Sequence, residues 1–150
     1  MILWRLYRKA FGPGLAGLGG LYTGGRWHTK GHYCTYLGGS ASIVVLEKLV
    51  HLDPINFESD LMLGQFEIDT EVEDGLATLN QRWPGTAMGD VVKTRQVGDS
   101  FLELNQKCLL KVPSVVVPEE YNYLFNPKHA AAADLTLIHE RAFTFDDRLL

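Results

Sequence analysis

The chain has 150 residues, of which 46% are hydrophobic and 21% are charged, and its formal net charge is −4. This length and composition are typical of one globular domain with a sizeable core, and they exclude wholesale disorder. The acidic balance argues against direct binding to DNA or RNA, which usually requires a basic surface. The basic group near the start, Arg5, Arg8 and Lys9, is too short to change that expectation.

Cysteine usage and hydropathy bear on the compartment. Two cysteines, Cys34 and Cys108, allow one disulfide but fit a reduced protein better. The first residues lack the order of a signal peptide, because basic residues and a glycine-rich run follow the apolar start. No segment approaches the roughly 18 to 20 continuous apolar residues that a membrane helix needs. We therefore expect a cytoplasmic protein without a membrane span.

The first part of the chain predicts two strands on either side of a glycine-rich loop, followed by a helix. The strands are Ile2–Tyr7 and His32–Leu37, where aliphatic, aromatic and β-branched residues concentrate. The loop covers residues 12–25. Ser40 or Ser42 can cap the helix, which runs to about Leu52.

The second part of the chain predicts further strands interspersed with helices. In order, these are a strand at Leu61–Ile68, a short amphipathic segment ending near Trp83, a helix from about Gly89 to Leu104 with Gly98 as a candidate break, strands at Cys108–Val112 and Ser114–Val117, an alternating segment at Tyr121–Phe125, a short helix at Ala130–Ala133, and a last strand at Leu135–Phe145. Such an order predicts a mixed α/β or α+β fold in a single compact domain.

The corner Gly24-Gly25-Arg26-Trp27 and Tyr36, ten residues after Arg26, predict a binding pocket. A glycine pair permits positive φ and lets a ligand approach the backbone closely. Arginine offers a planar, charged fork for phosphate or carboxylate, and aromatic rings offer a stacking surface. The pattern indicates a ligand that is both anionic and aromatic, such as a nucleotide. Tyr36 is the better candidate for the ring contact, and Trp27 for packing that fixes the corner.

Glu47 lies at the edge of the apolar face of the predicted helix. At 100° per residue, Glu47 falls about 40° beyond Ile43, at the edge of the arc that Ile43 shares with Val45, Leu46, Leu49 and Val50. A carboxylate in that position is costly unless it is paired or used. Glu47, Arg26 and Tyr36, with Ser114 after Pro113, form a set suited to transfer at the anomeric carbon of a ribose. Arginine would hold phosphate, the ring would hold the departing base, and the carboxylate would stabilise an oxocarbenium-like state.

The sequence resembles the RES-domain family, which is named for an arginine, a glutamate and a serine and contains toxins of bacterial toxin–antitoxin pairs. The match extends from about Trp4 to Leu149. Any one segment is weakly specific, whereas the ordered set is highly specific. The matching segments are Gly24–Trp27, Gly31, Tyr36, Leu46–Leu52, Val97–Asp99, Val112–Ser114, Asn122–Leu124, Asn126–His129 and Phe145–Leu149.

This resemblance implies a fold like that of ADP-ribosyltransferases and an enzyme that consumes NAD⁺ by cleaving its nicotinamide–ribose bond. Water or phosphate would be the acceptor. By the same resemblance, Arg26 binds the NAD⁺ phosphates, Tyr36 lines the nicotinamide-ribose site, Glu47 is the catalytic carboxylate and Ser114 supports the site. NAD⁺ is then a substrate, and no metal is expected. The implied partner is an Xre-type antitoxin, in a hetero-oligomer in which its C-terminal end blocks the pocket.

The chain departs from the family pattern at two places. His28 follows the Gly-Gly-Arg-Trp corner, where asparagine or serine is frequent in the family. The segment Leu37–Ser42 is richer in glycine than the pattern leads us to expect, which leaves the start of the helix that carries Glu47 open between Ser40 and Ser42.

Each candidate residue also has a purely structural interpretation. Arg26 could pair with Asp146 or Asp147, and Tyr36 could be ordinary core packing. Glu47 could pair with Lys48 or His51 along its helix, and Pro-Ser is a frequent pair at strand ends.

Other chemistry has weaker signals. The run Gly14–Gly20 lacks the ending of a phosphate loop, and His28, His32 and Cys34 lack an obvious fourth zinc ligand. No local signature supports a Cys–His or Ser–His nucleophile pair built on Cys34, Cys108 or Ser114. His129 is either a supporting site residue or a surface group, and the surface interpretation is favoured. Two functional alternatives to NAD⁺ degradation stay open, namely a protein mono-ADP-ribosyltransferase and a non-catalytic interaction module.

Overall fold

A computed structural model of the chain describes residues 1–53 and 59–150. These residues contain one seven-stranded sheet in the order β4-β5-β6-β2-β1-β3-β7. All neighbouring strands are antiparallel except β4 and β5, which are parallel. The strands are β1 Ile2–Arg8, β2 Thr35–Gly38, β3 Leu61–Glu67, β4 Val72–Asp74, β5 Leu109–Pro113, β6 Tyr121–Phe125 and β7 Thr136–Ala142.

Four α-helices and two short 3₁₀ helices accompany the sheet in the described part of the chain. The α-helices are α1 Gly19–Tyr22, α2 Ala41–Val50, α3 Gly75–Arg82 and α4 Val91–Leu104, and the 3₁₀ helices are Ala130–Asp134 and Asp147–Leu149. Side chains cap the three longer helices. The Ser40 hydroxyl accepts from the Ile43 amide at 3.2 Å, and Asp74 and Asp90 act in the same way at α3 and α4. Of the two predicted caps for α2, Ser40 is therefore correct.

The alternating side chains of the sheet build two hydrophobic cores. Tyr123 and Phe125 of β6 pack on one face with Leu3 and Phe66, whereas Leu124 between them packs on the other face, where α3 and α4 contribute. A strand that lies between two cores must carry apolar side chains on both faces. The run Tyr121–Phe125 does so except at Asn122. The prediction of a single compact mixed α/β domain is confirmed.

Several predicted element bounds were wrong. Residues 32–34 precede the strand, which begins at Thr35. The segment Ser114–Val117 is a turn instead of a strand, because the Ser114 hydroxyl accepts from the amides of Val116 and Val117 at 3.1 and 3.2 Å and curls the backbone. The last strand ends at Ala142, short of the expected Phe145.

The two central strands β1 and β2 separate along their length. They pair only between Trp4 and Gly38, whereas β1 pairs with β3 along its whole length. Beyond that single pair, Arg5 bridges the gap by donating from Nη1 to the backbone oxygen of Tyr36 at 2.8 Å. The opening between β1 and β2 borders the cavity described below.

Helix α4 runs unbroken through Gly98, contrary to the predicted break. Gly98 is required by packing instead, because a Cβ atom built there would lie 1.5 Å from the carbonyl oxygen of Trp27. The absence of a side chain lets α4 lie directly on the backbone of the Gly24–Trp27 corner. Because Arg26 belongs to that corner, the contact with α4 determines the position of Arg26.

We predict that Gly98→Ala destabilises the protein by about 2 kcal/mol, although alanine alone would favour the helix by about 1 kcal/mol. The physical reason is the clash with the Trp27 carbonyl. Urea unfolding measures the difference. Gly89→Ala is the matched control, because a Cβ atom at Gly89 meets nothing within 4 Å. Equal stabilities for the two variants would contradict the packing argument.

Candidate active site

A cavity of about 700 Å³ opens between β1, β2, α2 and α4. This volume lies within the range of about 300–1,000 Å³ that is typical of small-molecule sites. Three of the predicted site residues line it, namely Arg26, Tyr36 and Glu47. A smaller cavity of about 270 Å³, beside Arg82 and Phe101, contains none of the predicted site residues.

The glycine pair in the corner does not adopt the positive φ that the sequence predicted as one reason for it. Neither Gly24 nor Gly25 has a positive φ. A Cβ atom at Gly25 would lie 2.7 Å from the Tyr36 hydroxyl and 3.0 Å from Nδ1 of His28. The glycine therefore makes room for Tyr36, a residue of the protein itself, and no left-handed backbone is involved. Trp27 is 1% exposed and packs in the core next to α4, as the packing prediction requires.

A hydrogen-bond network holds the Tyr36 ring. Its hydroxyl accepts from the Trp27 amide at 3.2 Å and lies 2.9 Å from Nδ1 of His28. The other imidazole nitrogen, Nε2, lies 2.9 Å from the backbone oxygen of Thr23 and must donate to it. Nδ1 of the neutral ring is then the acceptor for the Tyr36 proton. Burial lowers the pKa of His28 and raises that of Tyr36, so both groups are uncharged at neutral pH. His28, where the chain departs from the family pattern, therefore holds the Tyr36 hydroxyl in place through this hydrogen bond.

Arg26 stands in the cavity without a carboxylate partner among the described residues. Its Nη1 donates to the backbone oxygen of Met88 at 3.0 Å, which fixes the side chain but leaves its charge uncompensated. The structural alternative was pairing with Asp146 or Asp147, and neither forms an ion pair with Arg26 in the described residues. Asp146 pairs with Arg148 at 2.9 Å instead. An uncompensated guanidinium in a concave site favours an anionic ligand.

Two residues of α4 hold the corner from the other side. The Thr94 hydroxyl donates to the backbone oxygen of Arg26 at 2.6 Å, and Nε of Arg95 donates to the backbone oxygen of Gly25 at 2.7 Å. Thr94 is completely buried. Together with the Tyr36 contact, these bonds fix the backbone at three consecutive residues.

Glu47 is held by two side chains from the sheet. Ser114 Oγ donates to Oε1 of Glu47 at 2.7 Å, and Nδ2 of Asn122 donates to the same oxygen at 2.9 Å. The second oxygen, Oε2, has no hydrogen-bond partner within the described residues. Glu47 therefore does not pair with Lys48 or His51 along the helix. A carboxylate with one oxygen anchored and one available is positioned to bind a hydroxyl group or to stabilise a cation.

Ser114 acts through Glu47. Its hydroxyl donates to the carboxylate and accepts from two amides in the following turn, and it is 2% exposed. It is absent from the residues that line the cavity. This arrangement favours a role in positioning Glu47 over direct contact with a ligand.

Sequence reasoning missed Arg5, Arg95 and Asn122 as cavity residues. Arg5 had a usable signal, because an arginine within an otherwise apolar strand is costly to bury. Its Nε donates to the backbone oxygen of Pro13 at 2.6 Å, and burial lowers its pKa. Asn122 lies within a segment that matched the family, but only the pairing of β6 with both β2 and β5 brings it to Glu47.

The cavity is electropositive although the chain is acidic. Its lining includes four cationic side chains and one carboxylate, Glu47. The cationic residues are Arg5, Arg26, Lys48 and Arg95. Such a concentration of positive charge in a concave, partly apolar site attracts anions in solution.

The described residues do not support the other chemistries considered for this sequence, namely a metal site, a cysteine nucleophile and a phosphate loop. No group of three or more His, Cys, Asp or Glu side chains in residues 1–53 and 59–150 has a metal-binding arrangement. Burial raises the pKa of Cys34 to about 12 and that of Cys108 to about 11, which disfavours a thiolate nucleophile at either position. In the run Gly14–Gly20, Gly17 and Gly20 pack on Cys34, and no residue of the run lines the cavity. His129 caps the 3₁₀ helix, consistent with the surface interpretation. No described helix is long and apolar enough to cross a membrane.

Comparison with known proteins agrees with the sequence resemblance. The family model for the RES domain matches residues 2–146. The chain belongs to the RES-domain family. It is 40% identical to a protein named "Toxin Res" from Pseudomonas putida over 152 residues, and 35% identical to another of that name from Yersinia enterocolitica over 153 residues. Each alignment covers 99% of both chains.

Two further relatives extend this comparison. A "Prs ADP-ribosylating toxin" from Sphingobium sp. is 31% identical, with 91% of this chain and 86% of that protein covered. Among solved structures, the crystal structure of the M. tuberculosis MbcT–MbcA toxin–antitoxin complex matches with a TM-score of 0.76 at 18% identity. That match covers 95% of this RES-domain chain and 84% of the other, and it supports the fold alone.

We predict that His28 makes stability depend on pH below its ordinary pKa of about 6.5. Burial lowers the pKa of folded His28, so the unfolded chain binds a proton that the folded chain refuses. The stabilisation is complete above pH 6.5 and is lost as the pH falls toward the folded pKa. Urea unfolding at pH 7.5 and 5.5 should therefore show the advantage of the wild type over His28→Gln shrinking at the lower pH.

His32 provides the opposite control. Although burial opposes its protonation, hydrogen bonds to Thr29 and Glu103 and the charge of Asp99 raise its pKa overall. Its stabilisation is present below about pH 6.5 and is lost as the pH rises through the raised pKa. The advantage of the wild type over His32→Gln should grow at pH 5.5. If the difference in unfolding free energy between the wild type and His28→Gln does not change with pH, the neutral, hydrogen-bonded state of the His28 ring is contradicted.

Proposed function

We propose that this protein is the toxin of a bacterial toxin–antitoxin pair and that it degrades NAD⁺ by cleaving the nicotinamide–ribose bond. One observation carries the proposal: Glu47 lines the same electropositive cavity as Arg26 and has one anchored and one available carboxylate oxygen. The names of the relatives, which include toxins and an ADP-ribosylating toxin, agree with it.

The reaction we propose is dissociative. The bond between the nicotinamide nitrogen and ribose C1′ breaks, and its electron pair leaves with neutral nicotinamide. Positive charge develops on the ribose, close to the Glu47 carboxylate, which stabilises it. Water or phosphate then adds to C1′. When water is the acceptor, it loses a proton to the solvent.

The remaining residues position the substrate in this scheme. Arg26 holds the pyrophosphate through charge-assisted hydrogen bonds. Tyr36 presents its ring to the nicotinamide-ribose end of the site, with its hydroxyl fixed by Trp27 and His28. Ser114 and Asn122 hold the Glu47 carboxylate in one orientation, so that it does not have to reorganise during the reaction.

The proposed partner is an antitoxin of Xre type that blocks the cavity. The proposed location of both proteins is the cytoplasm. The supporting comparison is the similar fold in a toxin–antitoxin complex from M. tuberculosis. The rim of the cavity includes the partly exposed apolar side chains of Val50, Val115 and Val116, which suit contact with another protein.

A second candidate function is mono-ADP-ribosylation of a protein. The specific observation in its favour is the relative named as an ADP-ribosylating toxin. Both reactions begin with the same bond cleavage and differ only in the acceptor. With NAD⁺ labelled on adenine, degradation yields free ADP-ribose or its phosphorylated form, whereas transfer leaves the label on protein.

We predict that purified protein releases nicotinamide from NAD⁺ and that Glu47→Gln lowers the rate at least about 100-fold, because the charge that stabilises the ribosyl cation is lost. Release is measured by chromatography, with and without phosphate. Glu67→Gln, an exposed change outside the cavity, is the control and should retain full activity.

The same variants separate catalysis from partner sequestration in cells. Either enzymatic function predicts that Glu47→Gln abolishes growth inhibition, whereas a non-catalytic module predicts that toxicity is retained. Folded wild-type protein that releases no nicotinamide under either condition would refute NAD⁺ cleavage.

A further inference from the structure

Arg95 is a cavity residue to which the proposed function assigns no task. It lies on α4, five residues after the Asp90 cap, and it lines the cavity together with Arg26. Its Nε is bound to the backbone oxygen of Gly25 at 2.7 Å. This single bond fixes the plane of the guanidinium while leaving its outer Nη groups without a hydrogen-bond partner among the described residues.

The charge of Arg95 is uncompensated. No carboxylate in residues 1–53 and 59–150 lies within salt-bridge distance of it. The nearest acidic residue on its own helix face, Asp99, is engaged elsewhere, because it accepts from the amide and the hydroxyl of Thr29 at 2.8 and 2.7 Å. Two uncompensated arginines that line the same cavity repel each other, and a purely structural role for Arg95 would not require that cost.

Arg95 and Arg26 meet at the same corner from different elements. Arg26 belongs to the corner itself, and its side chain is fixed through Met88. Arg95 reaches the corner from α4, and its Nη2 would lie 3.3 Å from a Cβ atom at Gly24. The absence of a side chain at Gly24 therefore leaves Arg95 access to the corner backbone. Two fixed guanidinium groups that line one cavity offer two forks for two linked phosphates.

We propose that Arg95 and Arg26 form a two-arginine clamp for the pyrophosphate of the dinucleotide, with each guanidinium binding one phosphate. This inference rests on the proposed function, since it concerns the same ligand in the same cavity. The clamp selects substrates with two linked phosphates over those with one. Because Tyr36 and Thr94 still hold the corner backbone when Arg95 is changed, we expect Arg95 to contribute equally to binding of the substrate and of the transition state, so its loss leaves the chemical step almost unchanged.

Binding of ADP-ribose to the full-length protein tests the clamp directly, by calorimetry at low salt. Arg95→Gln should weaken binding about 10- to 100-fold, the range expected for charge-assisted hydrogen bonds. With NAD⁺, the variant should raise KM by a similar factor while kcat changes less than about threefold. Lys93→Gln is the matched control, because it removes one positive charge from the same helix at a residue outside the cavity, and it should leave both quantities unchanged.

Salt dependence separates binding from a structural role. If Arg95 contacts phosphate, added KCl should weaken ADP-ribose binding less steeply in Arg95→Gln than in the wild type. If Arg95 only props the corner through Gly25, the variant should lower kcat and leave the salt dependence unchanged, and the clamp would be refuted. Wild-type affinity in Arg95→Gln would refute it too.

A second variant guards against loss of folding. Arg95→Lys keeps the charge but cannot hold Gly25 and a phosphate through one planar group. It should bind ADP-ribose with an affinity between those of the wild type and Arg95→Gln, and wild-type affinity in Arg95→Lys would count against the two-fork geometry. The outcomes also separate the two proposals. Protein that binds ADP-ribose in an Arg95-dependent way but never cleaves NAD⁺ would refute the proposed function and retain the clamp.

Discussion

The site depends on one constraint, the fixed backbone of the Gly24–Trp27 corner. Three polar contacts hold it, from the Tyr36 hydroxyl to the Trp27 amide, from Thr94 to Arg26, and from Arg95 to Gly25. Gly98 adds steric contact by allowing α4 to lie on the Trp27 carbonyl. Because β2 and α4 hold the backbone of these few residues, the guanidinium of Arg26 needs only its bond to the Met88 oxygen to be fixed in place. That side chain remains available for an anion.

The opposite wall of the cavity is organised around a carboxylate. Glu47 comes from α2, but Ser114 and Asn122 from the sheet region decide its orientation. The separation of β1 and β2 beyond Trp4 and Gly38 leaves room between these two walls. Cations on one side and an anchored carboxylate on the other suit a ligand whose phosphates are negative and whose reacting ribose becomes positive.

The local parts of the site could be predicted from the sequence, whereas the parts that depend on sheet order could not. The helical wheel placed Glu47 at the edge of the buried face, and the structure finds it half-buried and lining the cavity. The role of Asn122 follows from β6 lying between β2 and β5, a long-range pairing that no local pattern encodes. The segment that begins at Ser114 was predicted as a strand because its valines have high strand propensity. It forms a turn because the Ser114 hydroxyl accepts from two backbone amides, which overrides that propensity.

The most direct test of the account is a crystal structure of the full-length Glu47→Gln variant with NAD⁺ bound. We expect the pyrophosphate to lie within hydrogen-bond distance of Arg26. We also expect the nicotinamide ribose to lie against the substituted side chain at position 47 and the Tyr36 ring, in the cavity between the two walls. NAD⁺ bound elsewhere, or bound here with the adenine end against position 47, would contradict this account.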